Sequence, residues 1–141
     1  MIVYFDSSSI VKWLFDEQHM DLARGIRHEA EIALTSLLSF PEVMSAIYRA
    51  RKEGRCSKSH MELARDEFLR IWLDFQWIRI SESLMHQAGK LVFRHGLRGY
   101  DGVHLASALL LKEGGDDIDL FFSCFDRKVN RAAKKEGLMI H

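Results

Sequence analysis

Four acidic residues of this 141-residue chain lie at points where a short apolar segment or a loop gives way to a helical pattern. They are Asp6, Glu42, Asp101 and Asp126. Asp6 is the clearest case, because it directly follows the apolar run Ile2–Phe5. Burying a charge costs free energy unless the charge is paired. Each acid therefore either caps the helix that follows it or binds something outside the chain.

Helix capping is the simpler explanation for three of these acids. Asp is a favoured N-cap because its oxygen accepts hydrogen bonds from the free amides of the first helical turn. Asp101 and Asp126 both precede helical patterns and fit this role. Ser39 and Glu42 have the spacing of a capping box, with Ser39 as the cap and Glu42 reaching back. For any one of these acids, capping is the favoured interpretation.

Asp6 has a weaker claim to be a cap. Three serines at positions 7–9 follow it, and each could cap the next helix without placing a charge at the end of a strand. If the four acids converge, their repulsion raises some of their pKa values unless a cation lies among them. Oxygen ligands without neighbouring Cys or paired His select Mg²⁺ or Mn²⁺. One or two such ions could activate water and neutralise charge on a phosphodiester.

Three further residues are candidates for supporting roles. Ser8 could orient the Asp6 carboxylate or a metal-bound water, or it could simply start the helix. His104 is one helical turn after Asp101 and could contact phosphate or transfer a proton, but an ordinary hydrogen-bonded histidine is favoured. Arg127 begins a basic segment beside Asp126 and could contact RNA.

The acids must be positioned by short strands that alternate with helices. Apolar segments rich in β-branched and aromatic residues predict strands at Ile2–Phe5, 32–35, 77–80, 120–125 and 138–140. Helical spacing of apolar residues predicts helices at 10–15, 20–30, 37–54, 58–75, 81–94, 102–112 and 127–136. This alternation, without hairpin signals, indicates a parallel sheet of four to five strands covered by helices on both faces. Such sheets bind ligands at the carboxyl ends of their strands.

Composition limits the remaining possibilities. The length favours one domain, 1–141, and no stretch reads as a linker, an export signal or a membrane span. Lys plus Arg equals Asp plus Glu, at 20 each, so nucleic-acid binding would depend on local basic patches. Two such patches are present: residues 127, 128, 131, 134 and 135, and residues 49, 51, 52, 55 and 58. Cys56 and Cys124 form no metal-binding motif, which favours a reduced cytoplasm.

The central helices carry an unusual number of large apolar residues. They are Met44, Ile47, Tyr48, Met61, Phe68, Trp72 and Phe75. Packing into the core explains them most simply. An exposed stripe that binds a partner helix or a second copy of the chain is the alternative.

Four segments resemble the successive motifs of PIN-domain ribonucleases, in the order and spacing of the VapC-type toxins of toxin–antitoxin pairs. They read FDSSSIVKWL, FPEVMSAIYRA, LRGYDGVHLASALLL and FFSCFDRKVNRAAKKEGL. The resemblance covers nearly the whole chain and places Asp6, Glu42, Asp101 and Asp126 on the acidic quartet of the family. It implies a PIN-like three-layer α/β fold and a Mg²⁺- or Mn²⁺-dependent endoribonuclease. It further implies structured RNA such as transfer RNA as substrate, a cognate antitoxin, and a homodimer.

The last motif departs from the family pattern. Many members have Thr or Ser two residues before the fourth acid, where this chain has Cys124. Asp119 or Asp117 could therefore supply the fourth carboxylate instead. Asp119 would stand at the start of the predicted strand, away from the other acids, so Asp126 is preferred.

Two other functions are weighed against the nuclease. A catalytically silent PIN-like domain could bind RNA or a protein, although the presence of all four acids disfavours it. An Asp after a first parallel strand could also form an aspartyl-phosphate in a phosphotransferase or phosphatase. That chemistry resembles the haloacid-dehalogenase type, which has a second acid two residues on, where this chain has Ser8.

Overall fold

A computed structural model describes residues 1–15, 18–115 and 118–141. The strands are β1 (Ile2–Phe5), β2 (Ile32–Ser36), β3 (Gln76–Ile78), β4 (Leu120–Ser123) and β5 (Met139–Ile140). The helices are α1 (Ser7–Leu14), α2 (Met20–Glu29), α3 (Ser39–Lys52), α4 (Lys58–Trp72), α5 (Glu82–His95), α6 (Gly99–Glu113) and α7 (Arg127–Lys135). The expected alternation of strands and helices is confirmed.

The five strands form one parallel sheet in the order β3-β2-β1-β4-β5. Side chains alternate between the two faces of a strand, so Val3 and Phe5 point one way from β1 and Tyr4 the other. Val3 and Phe5 belong to a core shared with α1 to α4, whereas Tyr4 packs in a second core with α5, α6 and α7. The fold is thus the expected three-layer α/β arrangement, with β1 at its centre.

Several helices and strands begin or end at other residues than the sequence predicts. Helix α1 starts at Ser7 rather than near residue 10, and α6 starts at Gly99 rather than residue 102. Strand β3 begins one residue earlier than expected and ends at Ile78, and β4 ends at Ser123. Apolar periodicity identifies only the part of a helix that packs against the core. It therefore does not predict the first turns of α1 and α6, which carry few apolar residues. The early start of α6 places Asp101 inside its first turn.

The apolar stripe on the central helices is mostly core. Phe68, Trp72 and Phe75 are buried in the layer formed by α1 to α4. Tyr48 is the exception, with 61% of its surface exposed. Core packing is therefore the correct interpretation of this stripe, and the stripe gives no support for a homodimer.

The described residues contain two free cysteines and no helix that could cross a membrane. Cys56 is partly exposed, and Cys124 is buried. None of the helices within residues 1–15, 18–115 and 118–141 is long and apolar enough for a transmembrane span.

A close contact between α5 and α6 fixes the position of the turn that carries Asp101. Gly102 faces α5, and a Cβ at this position would overlap Cγ2 of Val92 and lie 2.9 Å from the carbonyl oxygen of Ala88. Glycine therefore allows the two helices to approach with their backbones nearly in contact. Gly89 of α5 has open space around its Cα.

We expect Gly102→Ala to lower the free energy of unfolding by about 1–3 kcal/mol, because the added methyl group must displace the backbone of α5 or the side chain of Val92. Gly89→Ala is the matched control and should stabilise the protein by up to about 1 kcal/mol, since alanine favours the helix. Urea unfolding of both variants measures the difference. Equal stability of the two variants would contradict the close packing of α5 on α6.

Candidate active site

Asp6 stands at the carboxyl end of β1 and is almost completely buried, with 5% of its surface exposed. Its Oδ1 accepts hydrogen bonds from the amide of Ser9 at 3.0 Å and from the hydroxyl of Ser8 at 2.7 Å. Asp6 is thus the N-cap of α1, and the expectation that a serine performs this role is wrong. The serines lie inside the first turn, where their hydroxyl groups contact neighbouring strands and acids instead.

Burial raises the pKa of the Asp6 carboxyl above its ordinary value. The positive field of His104 and the hydrogen bonds from Cys124, Ser8 and the Ser9 amide lower the pKa, but burial outweighs them. A buried acid with a raised pKa is stabilised by any cation that reaches it. The sheet therefore holds a carboxylate whose charge is incompletely compensated by the protein.

Glu42 lies in the first turn of α3 and points towards α1 and α6. Its Oε1 accepts a hydrogen bond from the Ser7 hydroxyl at 2.8 Å and lies 2.6 Å from Nε2 of His104. The expected capping box is absent, because Ser39 is itself inside the helix and its hydroxyl pairs with that of Thr35 at 2.7 Å. The Glu42 carboxylate is therefore free of a capping role.

His104 connects Glu42 to the core. The imidazole is 2% exposed, and its Nδ1 lies 2.9 Å from the hydroxyl oxygen of Tyr4. An ionised carboxylate only accepts hydrogen bonds, so Nε2 carries the proton that faces Glu42. In the neutral ring, Nδ1 then accepts from the Tyr4 hydroxyl, which burial keeps protonated by raising its pKa. His104 is thus a hydrogen-bonded histidine, as the sequence favours, and its partner is one of the four acids.

Asp101 and Asp126 face each other across the guanidinium group of Arg98. Arg98 Nε donates to Oδ2 of Asp101 at 3.1 Å, and its Nη2 lies 3.9 Å from Oδ2 of Asp126. Asp126 also caps α7, since its Oδ1 accepts from the amides of Lys128 and Val129. Asp101 is not a cap, because it lies inside the first turn of α6. The N-cap position of α6 is occupied by Arg98, whose side chain makes no capping hydrogen bond to the helix.

The end of β4 and the residues that lead to Asp126 are hydrogen-bonded to Asp6 and to its neighbour Ser8. The amide of Asp6 donates to the carbonyl of Ser123 at 3.1 Å, and the amide of Phe125 donates to the hydroxyl of Ser8 at 3.1 Å. Cys124 is buried beside them, and both burial and the charge of Asp6 raise the pKa of its thiol. A protonated thiol in this position is a weak donor and no strong ligand.

The alternatives to Asp126 lie elsewhere or outside the described residues. Asp119 is exposed and immediately precedes β4, at the opposite end of that strand from Asp126. Asp117 lies outside the part of the chain that the structure describes. Arg127 is exposed at the first position of α7, next to Asp126.

Comparison with known proteins places this site in a family. The model of the PIN domain matches residues 3–135. Ribonuclease VapC45 of Mycobacterium tuberculosis is 32% identical over 139 residues, which are 99% of this chain and 94% of the relative. The chain belongs to the PIN-domain family, among the VapC ribonucleases. This confirms the expected endoribonuclease of the toxin–antitoxin class, and the aspartyl-phosphate alternative is set aside.

Solved structures of VapC proteins have the same fold. The crystal structure of Mycobacterium tuberculosis VapC20, described as a toxin that cleaves the sarcin-ricin loop, gives a TM-score of 0.68 at 18% identity, covering 92% of this chain and 94% of that one. VapBC2 of Rickettsia felis, bound to a DNA fragment from its promoter, gives 0.66 at 11% identity, covering 100% and 98%. The PIN-like α/β fold is thus confirmed.

The donor groups of this VapC-type site are suited to a hard metal ion. Each of the four acids is held by hydrogen bonds to one oxygen: Oδ1 of Asp6, Oε1 of Glu42, Oδ2 of Asp101 and Oδ1 of Asp126. All four are oxygen donors, which Mg²⁺ and Mn²⁺ prefer. Among the described residues, however, no three acidic, histidine or cysteine side chains are close enough together to enclose an ion. Arg98 lies between two of the acids in this arrangement.

Sequence reasoning missed three residues of the VapC-type site. Tyr4 lies in a strand and reads as a core residue, Ser7 reads as a helix cap, and Arg98 reads as a solvated loop charge. Their roles depend on contacts between residues distant in sequence, such as Tyr4 with His104 and Ser7 with Glu42. For Arg98 a local signal did exist, because its spacing of three residues from Asp101 allows an ion pair on one helical turn.

We expect Asp6→Asn to be more stable than the parent protein at pH 7 in buffer without divalent ions. A carboxyl with a raised pKa binds its proton more tightly in the folded chain, so stability falls as pH rises through that pKa. Asparagine keeps the capping oxygen but carries no charge. The advantage should shrink as the pH falls and vanish at about pH 3, where the carboxyl is largely protonated in both states.

Thermal melts between pH 3 and pH 8 with a chelator measure this effect. Asp119→Asn, which changes an exposed acid outside the site, is the control and should leave the melting curves unchanged. If Asp6→Asn is less stable than the parent at pH 7, the inference that the protein leaves the charge of Asp6 uncompensated is wrong.

Proposed function

We propose that this VapC-type ribonuclease depends on Mg²⁺ or Mn²⁺, which Asp6, Glu42, Asp101 and Asp126 hold. The observation that carries the proposal is the position of the four carboxylates at one edge of the sheet, each fixed through one oxygen. Hydrogen bonds to one oxygen orient a carboxylate and leave its second oxygen for a ligand. Without a cation, the burial of the Asp6 charge opposes folding.

The surrounding hydroxyl and imidazole groups have positioning roles. Ser8 holds Asp6 through a 2.7 Å hydrogen bond and is itself fixed by the Phe125 amide. Ser7 and His104 hold Glu42 in the same way. When bound, the divalent ion would lower the pKa of a water molecule and neutralise charge on the attacked phosphate. The protein holds these acids in place because Ser7 and Ser8 lie in α1 and His104 lies in α6.

Basic side chains beside the acids support an RNA substrate. Arg127, Lys128 and Arg131 are exposed on α7, whose first residue directly follows Asp126. Phosphate contacts supply most of the affinity of a protein for nucleic acid without sequence preference. We propose structured RNA as the substrate, such as transfer RNA or a loop like the sarcin-ricin loop that VapC20 cleaves.

A cognate antitoxin and a second copy of the chain are the proposed protein partners. The antitoxin is supported by relatives whose solved structures are toxin–antitoxin complexes, among them VapBC2 of Rickettsia felis. The homodimer rests on the family resemblance, because the apolar stripe that suggested it is mostly core. Cytoplasmic location stays a prediction.

We expect Asp101→Asn and Glu42→Gln to reduce RNA cleavage by at least about a hundredfold, since each removes a negative charge from the ion's site. The assay incubates purified protein with total cellular RNA and Mg²⁺ and sequences the new RNA ends. Circular dichroism checks that each variant is folded. Asp119→Asn is the matched control, because it removes an exposed carboxylate outside the site. Cleavage at the parental rate by Asp101→Asn would overturn the assignment of the acids.

We expect His104→Ala to lower kcat by about 10- to 100-fold, because loss of a group that orients a metal ligand typically has this effect. His104→Gln should recover part of the activity, since its side-chain amide can donate to Glu42. His95→Gln is the matched control, because the His95 side chain is only 9% exposed and its Nε2 lies 2.6 Å from Oε1 of Glu136, outside the acidic site.

A second measurement distinguishes a positioning role of His104 from a purely structural one. Long-range ¹H–¹⁵N spectra should show a proton on Nε2 of His104, which faces Glu42, and Tyr4→Phe should change the Nδ1 signal. If His95→Gln loses as much activity as His104→Ala, the positioning role of His104 is wrong.

A further inference from the structure

Arg98 is a basic residue placed among the acids of the site. Its Nε donates to Asp101 at 3.1 Å, and its Nη2 lies 3.9 Å from Asp126. The backbone of Arg98 is extended at the N-cap position of α6, so the side chain starts one residue outside the helix. The side chain is 78% exposed and is therefore free to adopt other rotamers.

Three of the four acids stabilise the positive charge of Arg98. The hydrogen bond and the charge of Asp101 raise the pKa of the guanidinium, and the charges of Asp126 and Glu42 raise it further. Three of the four proposed ligands thus lie within the electrostatic range of this cation. A divalent ion bound by the same carboxylates would repel the guanidinium and would neutralise the charges of these carboxylates in its place.

Exchange of the guanidinium for another cation costs little free energy. An exposed ion pair contributes little stability, because water and salt screen it and the side chain loses entropy in forming it. The planar fork of arginine fits a phosphate as well as a carboxylate. Arg98 can therefore leave Asp101 and bind an RNA phosphate without any change of the backbone.

We propose that Arg98 is an exchangeable counter-ion of the acidic site: it pairs with Asp101 and Asp126 when no divalent ion is bound, and it turns to an RNA phosphate when one is. This inference rests on the proposed metal dependence. It also accounts for the arrangement in which the described acids lie around a guanidinium and do not themselves enclose an ion.

The chain contains a matched control for Arg98. Arg70 forms an ion pair with the same spacing of three residues on α4, where its Nε and Nη2 donate to the two oxygens of Glu67 at 3.1 and 2.6 Å. Its side chain is 66% exposed, and Glu67 is not one of the four acids. Any effect of a divalent ion on Arg98 through general screening should therefore appear at Arg70 as well.

The first test follows the arginine Nε–H signals in ¹H–¹⁵N spectra during titration with Mg²⁺ at constant ionic strength. Arg98→Lys and Arg70→Lys assign the two signals. We expect the Arg98 signal to shift or broaden while that of Arg70 stays in place. An Arg98 signal that is unchanged at saturating Mg²⁺ would overturn the exchange.

The second test measures Mn²⁺ binding by calorimetry. Arg98→Gln should bind Mn²⁺ about fivefold more tightly than the parent, since competition between two ligands for one site is reciprocal. Arg70→Gln should bind with parental affinity. The Arg98→Gln variant should also show a higher KM for RNA, because a phosphate contact is lost.

The outcomes separate this inference from the proposed function. Equal Mn²⁺ affinity of the parent and Arg98→Gln overturns the counter-ion role and leaves metal dependence in place. Absence of Mn²⁺ binding in all three proteins overturns both proposals. An Arg98→Gln variant with weaker Mn²⁺ binding would mean that Arg98 supports the site sterically, which also overturns the exchange.

Discussion

The buried carboxylate of Asp6 is the interaction around which this site is built. It directly follows the central strand of the sheet, β1, which pairs with β2 on one side and β4 on the other. Its Oδ1 begins α1, and its amide donates to the end of β4. Helix start, strand pairing and site geometry therefore depend on one residue. Burial raises the pKa of the carboxyl more than its hydrogen bonds lower it, so the folded chain holds a charge that favours a cation.

Capping and metal binding are compatible in this arrangement, although the sequence presents them as competing explanations. An aspartate has two oxygens, and in Asp6 and Asp126 the hydrogen bonds to backbone amides go to Oδ1. The capping hydrogen bonds to Oδ1 therefore also fix the orientation of the second oxygen, Oδ2, of each aspartate. Glu42 has no capping role, and its Oε1 is held by Ser7 and His104 instead. Asp6, Glu42 and Asp126 are thus fixed before a ligand arrives, which lowers the entropic cost of binding one.

The layers and the acids could be predicted from sequence, because they depend on local signals. Apolar strands such as Ile2–Phe5 alternate with amphipathic helices, and this pattern determines which chain segments end at the same edge of the sheet. The contacts of Tyr4 with His104 and of Ser7 with Glu42 join residues that are 100 and 35 positions apart, and no local pattern encodes them. The start of α6 was also missed, because its first turn is exposed and polar and so lacks the apolar period.

The central claim is that these carboxylates, and no other part of the chain, hold a divalent ion. Crystals grown without divalent ions and soaked in MnCl₂ test it directly, because manganese gives anomalous density that locates the ion independently of the protein atoms. We expect a peak among Asp6, Glu42, Asp101 and Asp126, at distances of about 2.0–2.3 Å from the coordinating oxygens, with the Arg98 side chain displaced from Asp101. Saturating manganese that binds elsewhere, or that leaves the four acids without density, would contradict the account.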